Sequence, residues 1–314
     1  MTNEFDVLER SSRPALIGTK EAISFGVGGE MIRGCFYTPR VVQESFPVIV
    51  LAHGWSMVAG GDLEDYAIQC VNRGFAALTF DFRNLGRSDG TPRQEIDPYR
   101  QIEDFREAIS YVRSRPKVDR ERVGIWGSSY SGGHAIVVAA IDRRVKCVVS
   151  QVPTISGYNA ALRRVRFDKA QMLRKAFETD REARFSGDAP QTIRMVDANP
   201  EASVAYPGAD SYDYMNAEAQ RCPSWVNEVT LRSLELARTY EPGIYVARIA
   251  PTPLLMIVAD EDALTPADMQ QDAFNIAHQP KQLMLVNGGH YSVYTRHFNK
   301  TAEAAAEWFA KYLL

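Results

Sequence analysis

Long apolar runs are missing from this 314-residue chain. No stretch reaches the roughly 18 residues that a membrane-spanning helix needs, so no membrane partner is expected. Stretches such as Ala135–Ile141 have the length of buried core elements instead. The opening residues MTNEFDVLERSSRPAL carry Glu4, Asp6 and Glu9. They lack the basic start and the apolar segment of about 7–15 residues that mark a secretory signal. Cysteine is scarce and scattered, at Cys35, Cys70, Cys147 and Cys222, with no C-x-x-C pair. That excludes a disulfide scaffold and fits reduced, buried thiols in a cytoplasmic protein. Excess charge of either sign is also lacking: 36 Lys+Arg against 39 Asp+Glu leave a net −3, so nucleic acid is not an expected partner. No His/Cys/Asp spacing suits zinc, and neither G-x-x-x-x-G-K-[ST] nor G-x-G-x-x-G occurs. Neither a metal nor a cofactor is therefore expected.

What is present is ordinary for a soluble globular chain: 45% hydrophobic and 24% charged residues. Length alone suggests about two domains, or one large α/β unit. The hydropathy pattern favours the second. Two strand-like segments, 20–27 and 30–37, flank the turn Gly28–Gly29. The run 47–52 is apolar throughout, as in a strand covered on both faces of a parallel sheet. Strand-like 75–80, 123–126 and 145–149 then alternate with helix-like 63–73, 99–113 and 130–141. Ile102, Phe105, Ile109 and Val112 recur at helical spacing. This alternation predicts a mostly parallel central sheet flanked by helices.

The alternation breaks for roughly a hundred residues. Residues 161–184 read as one or two helices bearing Arg163, Arg164, Arg166 and Arg174, interleaved with Asp168, Glu178 and Asp180 as on a solvated face. An aromatic stretch with Tyr206, Tyr212, Tyr214, Trp225, Tyr240 and Tyr245 follows, broken by prolines and glycines and expected to be irregular. Insertions of this size often form lids. The sheet pattern resumes at 254–258 and 282–286, with helices near 267–277 and 301–314. The expected organisation is a catalytic domain of residues 1–152 and 251–314 and a largely helical lid of residues 153–250.

One turn stands out. Gly127-Ser-Ser-Tyr-Ser-Gly-Gly133 follows a predicted strand and opens a predicted helix. Such a turn can expose a nucleophile in a strained conformation, provided the residues two before and two after it are small. Ser129 has Gly127 and Ser131 at those places, whereas Ser128 would have Trp126 and Tyr130. Serine needs a base to take its proton, and the base needs an acid to orient it. Asp260, Glu261 and Asp262 follow the strand at 254–258, and His290 follows the strand at 282–286. The ends of adjacent parallel strands bring such residues to one sheet edge.

Taken together, H-G-W, D-F-R-N-L-G-R-S-D-G, G-S-S-Y-S-G-G, D-E-D-x-x-x-P and G-G-H resemble the α/β-hydrolase superfamily. The similarity is greatest to its dienelactone-hydrolase-like and X-Pro-peptidase-like branch, which includes polyketide thiohydrolases and acyltransferases. A dienelactone hydrolase carries Cys at the elbow, where this chain has Ser129. The resemblance implies an α/β-hydrolase fold and selects Asp262, four residues before Pro266, as the acid. It also implies that the Trp55 and Tyr130 backbone N–H groups form an oxyanion hole. The Asp81–Gly90 loop is expected to support the scaffold, His53 to bond within its turn, His134 to pack, and His278 and His297 to lie at the surface. The expected activity is a serine hydrolase that cleaves a carboxylic ester or thioester of a small-molecule acyl substrate through an acyl-enzyme. Acyl transfer to an alcohol or amine, and C–C or peptide bond hydrolysis, remain open, as does homo-oligomer formation.

Overall fold

The computed structural model describes residues 13–41, 43–165, 167–199 and 201–314. Glu4, Asp6, Glu9 and Arg166 lie outside the described residues, as does the side chain of Asp168. Strands β1 (Gly18–Val27) and β2 (Glu30–Pro39) form an antiparallel hairpin in the register Val27↔Glu30. Gly28 and Gly29 sit at φ 58° and 94°, the pair of positive angles that a tight hairpin turn requires. The alternation then unfolds as β3 (Phe46–Ala52), α1 (Gly61–Asn72), β4 (Ala76–Asp81), α2 (Pro98–Ser114), β5 (Val118–Ser128), α3 (Tyr130–Ile141) and β6 (Val145–Gln151).

Between β6 and the next sheet strand lie α4 (Gly157–Arg164), α5 (Phe167–Phe185), the two-residue strands β7 (Thr192–Ile193) and β8 (Val229–Thr230), α6 (Ala209–Arg221), α7 (Leu231–Ala237) and a 3-10 helix, Pro242–Arg248. The stretch expected to be irregular thus holds two further α-helices. In α6 the buried residues Ser211, Tyr214, Met215 and Glu218 follow helical spacing, but only two of them are apolar, which hides the stripe. Strand β9 (Leu254–Ala259), α8 (Ala267–Ile276), β10 (Lys281–Val286), a 3-10 turn (His290–Val293) and α9 (Phe298–Leu313) complete the described chain.

The eight-stranded sheet has the order β1-β2-β4-β3-β5-β6-β9-β10. From β4 to β10 all neighbours are parallel; β1 and β2 add an antiparallel edge. Every residue of β3, β4 and β9 is buried, as the near-continuous apolar runs require. Strand β5 begins five residues before the expected 123–126, because Asp119-Arg-Glu-Arg122 conceals the edge of the strand. There its register shifts against both β3 and β6. All four cysteines are buried and unpaired. Among the described residues no helix is long and apolar enough to cross a membrane.

The Asp81–Gly90 loop is a scaffold piece, as expected. Asp81, fully buried, accepts from the Arg87 N–H (2.9 Å), and a methyl at Gly86 (φ 51°) would overlap its carboxylate. Buried Arg83 donates through Nε to Asp104 Oδ1 (2.8 Å) and through its backbone N–H to Oδ2 (3.0 Å), with Glu103 at 2.8 Å from Nη2. Asp104→Ala is expected to destabilise the protein by about 3 kcal/mol, since it leaves a buried guanidinium with only a surface-exposed partner. Urea denaturation of the two proteins measures the difference.

Candidate active site

Strand β5 passes into α3 through one residue. Ser129 adopts φ 58°, ψ −118°, a strained conformation for a residue with a Cβ. Its N–H donates to the Gln151 carbonyl (2.9 Å), and its carbonyl accepts from the N–H groups of Gly132 (3.0 Å) and Thr154 (3.0 Å). A methyl at Gly127 would overlap the Ser131 carbonyl oxygen, which is the size limit read from the sequence. From the other side, a Cβ at Gly54 would sit 3.1 Å from Ser129 Cβ.

His290 opens the 3-10 turn after β10, and Asp262 lies in the loop after β9. His290 Nε2 is 3.0 Å from Ser129 Oγ, and His290 Nδ1 is 2.7 Å from Asp262 Oδ2. All three are buried. Of the three adjacent acids, Asp262 alone faces the histidine. Asp260 accepts from the Gly288 N–H (2.8 Å), which ties the acid loop to the histidine loop. Asp262 Oδ1 accepts from the N–H groups of Leu264 and Thr265, both at 2.9 Å, and Oδ2 from the Thr265 hydroxyl (2.8 Å). Burial by itself would push this carboxyl up. The facing His290, by charge and hydrogen bond, and then Thr265 outweigh it and hold Asp262 below the usual carboxylate range. Sequence reasoning missed Thr265, although a hydroxyl three residues after an acid in a loop is the pattern of a side chain that satisfies its neighbour.

The other histidines lie apart from this cluster. His53 Nδ1 lies 2.9 Å from the Gly54 carbonyl within its own turn, and burial pushes its pKa down. His134 sits between Tyr240 Oη (2.7 Å) and Gln101 Oε1 (2.9 Å), and burial pushes it down to about 3. His278 is exposed, and His297 lies 2.9 Å from the Asn287 carbonyl. Trp55 follows the β3 turn, and its ring meets the Tyr130 ring edge-on at 4.7 Å. Among the described residues neither the Trp55 nor the Tyr130 backbone N–H has an acceptor. Trp55 lines the same pocket as Ser129, and Tyr130 follows the serine directly in the chain. No group of residues that could hold a metal is present among the described residues.

The serine opens into a pocket with about 540 Å³ of empty space, its mouth included. Trp55, Met57, Leu264, Tyr291 and Tyr294 line it from the sheet side; Tyr206, Tyr214, Met215 and Glu218 come from the 153–250 segment. That segment is tied down by ion pairs. Arg221 reaches Asp62 (2.9 Å) and Asp65 (2.6 Å) on α1, and Arg163 pairs with Asp268 on α8 (2.7 Å). Arg163 lies on a solvated face, as the charge pattern predicts, and its partner Asp268 is exposed as well.

The X-Pro dipeptidyl-peptidase (S15) family model matches residues 30–292. The chain belongs to this family. It is also similar to curated proteins over most of its length. A thiohydrolase of Eupenicillium brefeldianum is 30% identical over 84% of this chain and 85% of that protein. The acyltransferase drtE of Aspergillus calidoustus is 28% identical over 82% of this chain and 81% of its own length. Among solved structures, the α/β hydrolase GrgF from Penicillium sp. sh18 superposes with a TM-score of 0.80, at 23% identity, over 94% of this chain and 99% of that one. The fold is that of an α/β hydrolase, and this S15 member is an enzyme of the α/β-hydrolase type.

A carboxyl held below its usual range stabilises the folded protein above that range, and the contribution is lost as pH falls through its folded pKa. Asp262→Asn is therefore expected to melt below wild type near neutrality, with the gap closing as pH falls below about 4. Melting curves of both proteins across an acid series test this.

Proposed function

We propose that this S15 member is a serine hydrolase that cleaves a carboxylic ester or thioester through an acyl-enzyme. The observation that carries the reading is the Ser129–His290–Asp262 relay at 3.0 and 2.7 Å. His290 Nε2 takes the Ser129 proton as Oγ bonds to the acyl carbon. The Trp55 and Tyr130 N–H groups hold the oxyanion, charge that exists only in the transition state and its intermediate. Collapse breaks the C–O or C–S bond, and His290 returns the proton to the leaving alcohol or thiol. Water, deprotonated by His290, then adds to the acyl carbon, and Ser129 leaves with the proton as the acid is released. Asp262 holds the imidazole in the required tautomer and stabilises its charged form. Residues 153–250 act as a lid over this chemistry, a role supported by the four pocket residues they contribute. The thiohydrolase relative supports the thioester arm.

A panel of p-nitrophenyl esters and acyl thioesters of graded chain length tests the reading, with proline amides as a separate arm for peptide cleavage. Wild type is expected to turn over at least one ester or thioester, and a fluorophosphonate to label Ser129. Ser129→Ala should lose label and lower kcat by about 10⁴-fold or more while keeping the fold. Full activity in folded Ser129→Ala would sink the assignment.

A second reading is acyl transfer by the same relay. It is favoured by the burial of Ser129, which is only 7% exposed, and by the acyltransferase relative. Water exclusion lengthens the life of an acyl-enzyme and lets an alcohol or amine compete. Product partitioning with and without an acceptor alcohol separates the two fates.

A further inference from the structure

The pocket beyond Ser129 changes character along its length. Near the histidine its walls are aromatic rings in contact. Tyr291 meets His290 at 5.1 Å between centroids, and Tyr214 stacks on Tyr291 at 4.5 Å. One ring further, the Tyr214 hydroxyl donates to Asp62 Oδ2 (2.8 Å), and the wall becomes carboxylate. Asp62 and Glu218 both line the pocket, although they are only 6% and 5% exposed. Gly61 makes this possible. It sits at φ 52°, and a methyl there would overlap Glu218 Oε2.

Glu218 is fixed with acceptor capacity to spare. Oε1 takes a hydrogen bond from Arg221 (2.7 Å) and Oε2 takes one from the Asp62 N–H (2.8 Å), so each oxygen keeps a second acceptor site. Arg221 is itself engaged by Asp62, Asp65 and Glu218. Among the described residues no Lys or Arg lines the pocket itself; Arg164 lies against the Tyr206 ring, 5.0 Å from its centroid. An entering carboxylate would therefore lose its hydration and meet like charge, with Arg221 already engaged by three carboxylates. A hydroxyl or ammonium would find buried acceptors, and an ammonium would also be attracted by the aromatic faces.

We propose that the acyl pocket selects groups whose end away from the carbonyl donates a hydrogen bond, a hydroxyl or an ammonium, and rejects groups that end in a carboxylate. Glu218 and Asp62 are the specificity-determining residues. This inference rests on the serine-hydrolase reading above for its kinetic form, and on the pocket alone for its binding form.

Four p-nitrophenyl esters of one chain length test it: plain alkyl, ω-hydroxy, ω-ammonium and ω-carboxylate, with the length chosen from the graded panel. In wild type the hydroxy and ammonium esters are expected to exceed the alkyl ester in kcat/KM by roughly tenfold. The carboxylate ester should fall roughly tenfold or more below it. In Glu218→Gln the ratio of ammonium to carboxylate kcat/KM should drop by roughly tenfold. A preference for only one of the two donors supports the proposal and tells which of them the site takes. A flat series, a lead for the alkyl or carboxylate ester, or an unchanged ratio in Glu218→Gln overturns it. The same four esters titrated calorimetrically into Ser129→Ala should bind in the same order without turnover. If wild type hydrolyses none of them, the acyl-enzyme reading fails, and the order of Kd still judges the pocket. The wild-type series and the Kd order stand even if Glu218→Gln does not fold.

Discussion

The structure depends on how closely three backbone segments crowd around one side chain. Gly54 approaches Ser129 from the β3 turn, Gly127 leaves no room for a methyl against the Ser131 carbonyl, and Gly132 lies against Pro153 and the Gln151 carbonyl. This close approach forces Ser129 to the positive φ that aims its hydroxyl out of the sheet edge. Hydrogen bonds from Gly132 and Thr154 to its carbonyl, and from its own N–H to Gln151, hold the strain in place. The same crowding sets Trp55 beside Tyr130. Removing the space constraint would release the geometry of Ser129 before it touched His290 or Asp262.

The parts legible in the sequence were those governed by local rules. The Gly28–Gly29 hairpin, the apolar runs of β3 and β9, and the elbow around Ser129 follow from turn chemistry, burial on both faces and steric size. His290 was legible because strand ends share a sheet edge. Asp262 was not separable from Asp260 and Glu261 by pattern alone; family resemblance chose it, and the hydrogen bonds explain the choice, since Asp260 is spent on Gly288. Tyr291, Tyr294 and Glu218 were invisible because their contacts, with Ser211, Ser128 and Asp62, span 80, 166 and 156 residues of chain, whereas the local bond from Thr265 to Asp262 left a readable trace. Helix α6 was missed for a related reason. Glu218 and Ser211 occupy its buried face, so a polar cluster replaces the apolar stripe that announces a helix.

Polar burial also accounts for how the 153–250 segment stays in place. Arg221 is the hub of an ion-pair network with Asp62, Asp65 and Glu218 that joins α6 to α1. Buried ion pairs of this kind add little net stability over apolar packing, but breaking one is costly. They fix register more than they add strength. Here register matters, because Tyr206, Tyr214 and Met215 reach the pocket only if α6 and its approach are correctly docked.

Splitting the sheet in sequence has a consequence for the chain as it is made. Strand β6 ends at Gln151, and its neighbour β9 does not begin until Leu254. At about 5–20 residues per second, translation leaves the apolar edge of β6 unpaired for roughly 5–20 s. Val148 and Val149 of that edge are fully buried in the finished sheet. During this interval the emerging chain holds Ser129 but neither Asp262 nor His290. It is then at its most prone to pair with a wrong strand. The Ser129–His290–Asp262 cluster and sheet closure thus arrive together, with the last sixth or so of the chain.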